Sequence, residues 1–95
     1  MSMASQGEVF LAIEEGREYQ TRRWGNPSGV ERLKNVAEFL TFMQHYQTEA
    51  VRYATKDGNT VNARDAIRKI VALGVACLEQ NGIVPRDPRD IEELG

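Results

Sequence analysis

Between Asn62 and the Asn81-Gly82 pair the chain carries IVALGVACL, residues Ile70 to Leu78, a run that is apolar on every face of a helix. Such a helix needs burial on several sides, and one partner helix covers only one of them. At nine residues the run is too short to span a bilayer, so its cover has to be protein. A chain of 95 residues lies near the lower end of what builds an adequate core alone. Three helices in so small a chain barely supply the cover, which predicts an all-α bundle completed by self-association into a homodimer or higher homo-oligomer. Ala72, Gly74, Ala76 and Cys77 would let a second backbone come close. The alternative is a monomeric bundle in which the first helix and the tail cover the rest.

The helices follow from caps and periodicity, and no segment reads as a strand. The first is predicted over 8–24, with Val9, Phe10 and Ile13 apolar near its start and Gly16 weakening its middle. Gly25-Asn26-Pro27 ends it. The second is predicted over 28–56, with two candidate caps, Ser28-x-x-Glu31 and Asn35-x-x-Glu38. Leu33, Val36, Leu40, Met43, Gln47, Ala50 and Ala54 step by three and four and predict its buried seam. Lys56-Asp57-Gly58-Asn59 supplies a tight turn. The third is predicted over 62–81, capped by Asn62 with Asp65 and continued by Ala63, Ile67, Ile70, Gly74 and Cys77. Asn81-Gly82 stops it, with Pro85 beyond. The short turn makes the last two helices an antiparallel hairpin. Residues 83–95, with Pro-Arg-Asp repeated, read as a mobile tail.

A hydrophobic content of 41% with 27% charged residues describes an ordinary single globular domain. The net charge of −2 argues against general nucleic-acid binding, which needs an excess of cations facing phosphates. Cys77 is the single cysteine, so no intrachain disulfide forms, and a reducing compartment is expected. The opening MSMASQGEV lacks the basic and apolar regions of a signal peptide. These readings together predict a cytoplasmic protein with no membrane partner.

One corner stands out. GREYQTRRWG, Gly16 to Gly25, sets Arg17, Arg22 and Arg23 around Tyr19 and Trp24, the only tryptophan. Nucleotide binding needs an aromatic face for the base and cations for phosphate, and this corner holds both. Tyr19 and Arg23 stand i, i+4 on one helix face, while Arg22 and Trp24 lie off it. Tyr46 and Tyr53 on the second helix add further aromatics. The competing reading is structural: Trp24 plugs the open end of the bundle and the arginines pair with Glu15 and Glu18. Elsewhere the chemistry is thin. His45 and Glu49 are i, i+4 but lack the further ligands a metal needs, and Cys77 has no neighbouring base.

REYQTRRWG, then EFLTFMQHYQTEAVRYA, then DAIRKIVALGVACLEQNG resemble, over about residues 17 to 82, small phage-encoded MazG-like proteins of the all-α nucleoside triphosphate pyrophosphohydrolase superfamily. The resemblance implies a four-helix core holding Mg²⁺ on a Glu-x-x-Glu and a Glu-x-x-Asp pair. A hard cation wants several oxygen ligands, and i, i+3 spacing puts two carboxylates on one helix face. Aligned this way, Glu49 keeps its place, Tyr46, Ala66 and Lys69 stand where three carboxylates would, and Asp65 is one residue out of phase. Residues 39–56 contain one carboxylate and residues 66–78 none. Hairpin register sets Glu49 level with Arg68 and Lys69. That predicts an ion pair with one of them, or a cation left to meet a ligand phosphate without metal.

Three functions follow. The first is a pseudoenzyme, a nucleotide-binding protein that has lost metal-dependent hydrolysis and, in a phage setting, sequesters a nucleotide or nucleotide-derived signal in the host cytoplasm. Arg17, Tyr19, Arg22, Arg23, Trp24 and Lys69 would contact the ligand, with no cofactor. The second is an active Mg²⁺-dependent pyrophosphohydrolase with Glu49 and Asp65 catalytic, completed by carboxylates of a second copy. The third is a non-enzymatic phage protein that binds a host protein through the first helix or the tail.

Overall fold

A computed structural model of the chain describes residues 3–25 and 33–88. Among them are three helices, α1 (Gln6–Trp24), α2 (Val36–Thr55) and α3 (Thr60–Asn81), and no strand. The all-α expectation holds.

Each boundary has a local cause. Ser5 and Glu8 form a reciprocal capping box at the start of α1, with Glu8 N donating to Ser5 Oγ at 3.1 Å. The helix therefore opens two residues before the expected position 8. At its end the Gly25 N–H donates to the Thr21 carbonyl at 2.9 Å, and Arg22 and Arg23 sit favourably in the last turn.

Of the two candidate caps for α2, Asn35 with Glu38 forms, its side chain accepting from Glu38 N at 2.8 Å. Residues 33–35 are not helical, so α2 starts at Val36 rather than at 28. Ser28 and Glu31 lie outside the described residues. The linking turn rests on Gly58 at φ +60°, a conformation glycine adopts without steric cost. Asn59 follows and caps α3 by accepting from Asn62 N at 3.0 Å. This corrects the expected Asn62 cap: Asn59 already satisfies that N–H, and Asp65 falls in the second turn with other partners. Gly82, at φ +97°, ends α3. Residues 83–88 carry no regular structure, and the rest of the expected tail lies outside the described residues.

α3 is the central element, packing on α2 along one face and on α1 along another. The core joins Phe39, Leu73 and Ala76, flanked by Trp24, Met43, Tyr46 and Cys77. Ala50, Ala63 and Ala66 are also buried and let the hairpin helices approach closely. Lys34 N donates to Gln80 Oε1 at 2.8 Å and Asn81 Nδ2 to the Lys34 carbonyl at 3.1 Å, tying the entry of α2 to the end of α3.

The predicted seam of α2 is rotated. The inward row is Phe39, Met43, Tyr46, Ala50 and Tyr53; Leu33, Val36, Leu40, Gln47 and Ala54 are exposed. On α3, Ala63 is buried as expected, whereas Ile67 is exposed and Ala66, Ala72, Leu73 and Ala76 carry the burial. Helical periodicity puts Ile67, Val71, Gly74 and Leu78 on the third of α3 that meets neither α1 nor α2. With Leu40 57% exposed, Ile67 53% and Leu78 51%, the hairpin has an open apolar face among the described residues.

Candidate functional site

The face of α1 bearing Gly16, Tyr19, Gln20 and Arg23, spaced i, i+3, i+4 and i+7, turns toward the hairpin. Between this face and Tyr46 of α2 and Arg68, Lys69 and Leu73 of α3 lies a pocket of about 500 Å³, with Trp24 at its wall. That volume is within the range of small-molecule sites. Three cations line it and no carboxylate does.

Two of those cations are held by one carboxylate. Asp65 Oδ1 accepts from Arg68 Nη2 at 2.8 Å and from Nε at 3.2 Å, while Asp65 Oδ2 lies 3.4 Å from Lys69 Nζ. All three residues share one face of α3, at i, i+3 and i+4. The hydrogen bond from Arg68 is the main cause that lowers the Asp65 carboxyl below its ordinary value. Burial is the next-largest effect and opposes it, while the charge of Arg68 and the contact with Lys69 add to the lowering. Lys69 Nζ also stands 5.3 Å from the Tyr46 ring centroid, a cation–π distance. The Arg68 guanidinium lies against Gly16, in space that a side chain there would occupy.

Gln20 is buried to 8% exposure, and its Oε1 has no hydrogen-bond partner among the described residues. Leaving such a group unsatisfied costs about 1–3 kcal/mol, so an orphan amide at the wall of a polar pocket points to a missing partner. Tyr19 is 58% exposed at the rim. Trp24 is engaged differently: Lys34 Nζ sits 3.8 Å from its ring centroid, and Phe42 stacks at 6.4 Å. It closes the bundle end as well as forming the wall.

Of the expected ligand contacts, Tyr19, Arg23, Trp24 and Lys69 come together here. Arg17 and Arg22 do not. Arg17 Nε donates to Glu79 Oε1 at 2.6 Å, pinning α1 to α3 beside a second, shallower groove lined by Phe10, Ile13 and Val75. This replaces the expected pairing of the arginines with Glu15 and Glu18, because Arg17 faces α3 while those acids face solvent. Arg22 is exposed outside the pocket. Arg68 and Tyr46 join the site, as their positions in the sequence allowed. Gly16 and Gln20 went unread as site residues, although their i, i+4 spacing beside Tyr19 and Arg23 is a usable signal.

The two acids proposed for catalysis are both engaged within their own helices. Glu49 Oε1 pairs with His45 Nε2 at 3.1 Å, and Asp65 with Arg68 and Lys69. The expected pairing of Glu49 with Arg68 or Lys69 is therefore not the one that forms, since each has a partner one helical turn away. Among the described residues no three His, Cys, Asp or Glu side chains are grouped to hold a metal. The donor set does not fit Mg²⁺, whose octahedral shell needs several oxygens. No helix among the described residues is long and apolar enough to cross a membrane. No protein-family model matches the chain, nor does any curated protein or solved structure, so the MazG-like resemblance rests on the quoted segments alone.

Proposed function

We propose that the chain is a nucleotide-binding protein that holds its ligand in the pocket between α1 and the hairpin and does not hydrolyse it. The observation that carries this reading is the convergence of Tyr19, Arg23, Tyr46, Arg68 and Lys69 around the orphan amide of Gln20. An aromatic base finds two phenol rings, a phosphate finds guanidinium and ammonium groups, and a base edge finds an amide. Binding without turnover suits sequestration of a nucleotide or nucleotide-derived signal, the role that the MazG-like resemblance suggests for a phage protein. Glu49 is engaged by His45, and Asp65 is tied to Arg68 and Lys69, each within its own helix, which disfavours the pyrophosphohydrolase reading.

Self-association belongs to the same proposal. The open side of the hairpin carries Val36, Leu40, Val51, Ile67, Val71 and Leu78, with only Ala, Thr, Gln and Gly between them. Between Val36 and Val51 on α2 and between Ile67 and Leu78 on α3 this side carries no charge, and Arg64 bounds it one turn before Ile67, which leaves an apolar, self-compatible surface. Arg64 is a lone cation at the edge of that face, short of the excess of positive charge that nucleic acid or anionic lipid needs.

Isothermal titration calorimetry with a panel of linear and cyclic nucleotides tests the binding reading. Saturable binding that Arg23→Gln abolishes supports it, and heat-silent titrations with every member overturn it.

A further inference from the structure

Resting on that reading, we infer that the pocket selects a nucleoside monophosphate in its metal-free dianionic form, and not a metal-complexed triphosphate. The charge balance is the first argument. Arg23, Arg68 and Lys69 bring three positive charges, and Asp65 cancels one, which leaves a site complementary to a dianion. A phosphate monoester near neutral pH carries a charge of about −1.5 to −2. A triphosphate carries more charge than these groups balance, and its usual partner, Mg²⁺, finds no oxygen cluster among the described residues.

Spacing supplies the second argument. Arg68 and Lys69 reach the two oxygens of a single carboxylate, so their heads are close enough to share one phosphate of similar span. They form one anion grip and not two separated grips, which disfavours a ligand with phosphodiesters on opposite sides. Asp65 holds the grip in place from outside the pocket lining and is a positioning residue.

Gln20 provides the third. Its buried amide, orphaned at Oε1, lies one helical turn from Arg23 on the same face of α1. A base whose edge offers hydrogen-bonding groups satisfies it, while a bare phosphate or a sugar phosphate leaves it unpartnered. Tyr19 is placed to stack on that base.

The test is calorimetric titration of the full chain in EDTA with the common nucleoside 5′-monophosphates. The same bases are then offered as the uncharged nucleoside, the monoanionic methyl ester of the monophosphate, the triphosphate with and without Mg²⁺, and a cyclic dinucleotide, with inorganic phosphate as a further arm. At least one monophosphate should bind best, and its methyl ester about tenfold or more weakly, since one charge on the grip is lost. Lys69→Gln should reduce the preference for the dianion over the ester, and Arg17→Gln should leave it unchanged. Tighter binding of the Mg²⁺–triphosphate, or equal binding of ester and monophosphate, overturns the inference while leaving nucleotide binding intact. Inorganic phosphate binding as tightly as every monophosphate removes the base-reading role of Gln20 and overturns it too. No binding in any arm removes both readings.

Discussion

The guanidinium of Arg68 occupies the space above Gly16 that a side chain on α1 would fill, and an added Cβ would collide with Arg68 Nη1. The glycine is thus explained by the site, because in a helix interior it costs about 1 kcal/mol relative to alanine. Gly16→Ala separates the two roles. The colliding atom is the end of a flexible side chain, so the helix accepts the methyl and Arg68 swings aside. Thermal unfolding should occur at the same temperature or a higher one, while nucleotide affinity falls about tenfold as a charged contact is lost. An affinity equal to wild type would show that Arg68 does not need this position to grip the ligand.

Asp65 links the grip to pH. Its carboxyl is lowered from an ordinary value of 3.8, so the folded chain binds that proton less readily than the unfolded one. The stabilisation is present in full above about pH 3.8 and is lost as pH falls through the lower, folded value. Urea unfolding of wild type and Asp65→Asn should differ by a constant amount near neutral pH, and the difference should close in strong acid. The carboxylate is half exposed, so the amount is small. A gap that widens on acidification would contradict the sign.

How much of this was legible in the sequence depends on whether the cause is local. Asn35 with Glu38, and Gly82 after Asn81, are signals readable within a few residues, and they bound helices in the structure. The seam of α2 was misread because the helix has two apolar sides. Leu40 and Val36 keep the same three-four stepping as Phe39 and Tyr46, and stepping alone does not say which row meets α3. The aromatic row marked the inward side. Gly16 and Gln20 carry only the weak signal of their spacing beside Tyr19 and Arg23: on a polar helix both look like surface, and Gly16 reads otherwise only once Arg68 and Ala72 are laid against it. Arg17 was the reverse, a cation that suits a ligand in sequence and is bonded to Glu79, 62 residues away.

The core is small enough for one substitution to decide folding. Phe39 and Leu73 are the largest fully buried side chains among the described residues, and five of the seven buried hydrophobic residues are alanines. Truncating a buried phenylalanine to alanine costs about 3–5 kcal/mol, comparable to the whole stability of a small domain. Phe39→Ala should lose most of its helical circular dichroism at temperatures where the wild type is folded. Leu73→Ala, at about 2–5 kcal/mol, should shift the urea midpoint down strongly. Wild-type-like melting of Phe39→Ala would place the stabilising contacts elsewhere.

The open face of the hairpin gives the last prediction. Val71 lies 41% exposed in the row that runs from Ile67 to Leu78, a row that helical periodicity turns away from both α1 and α2. A glutamate there projects into water in the free chain and so leaves the helix intact. In a two-fold pairing of this face it buries a charge against apolar side chains, and twice over, since each copy contributes one. Sedimentation velocity should show the wild type as a dimer or larger and Val71→Glu as a monomer, with unchanged helical content by circular dichroism. The pocket lies on the other side of α3, between α1 and the hairpin, so the monomeric variant should still bind nucleotide. A wild type that sediments as a monomer would mean that the apolar face is covered in some other way. Loss of binding along with assembly would mean that a second copy completes the pocket.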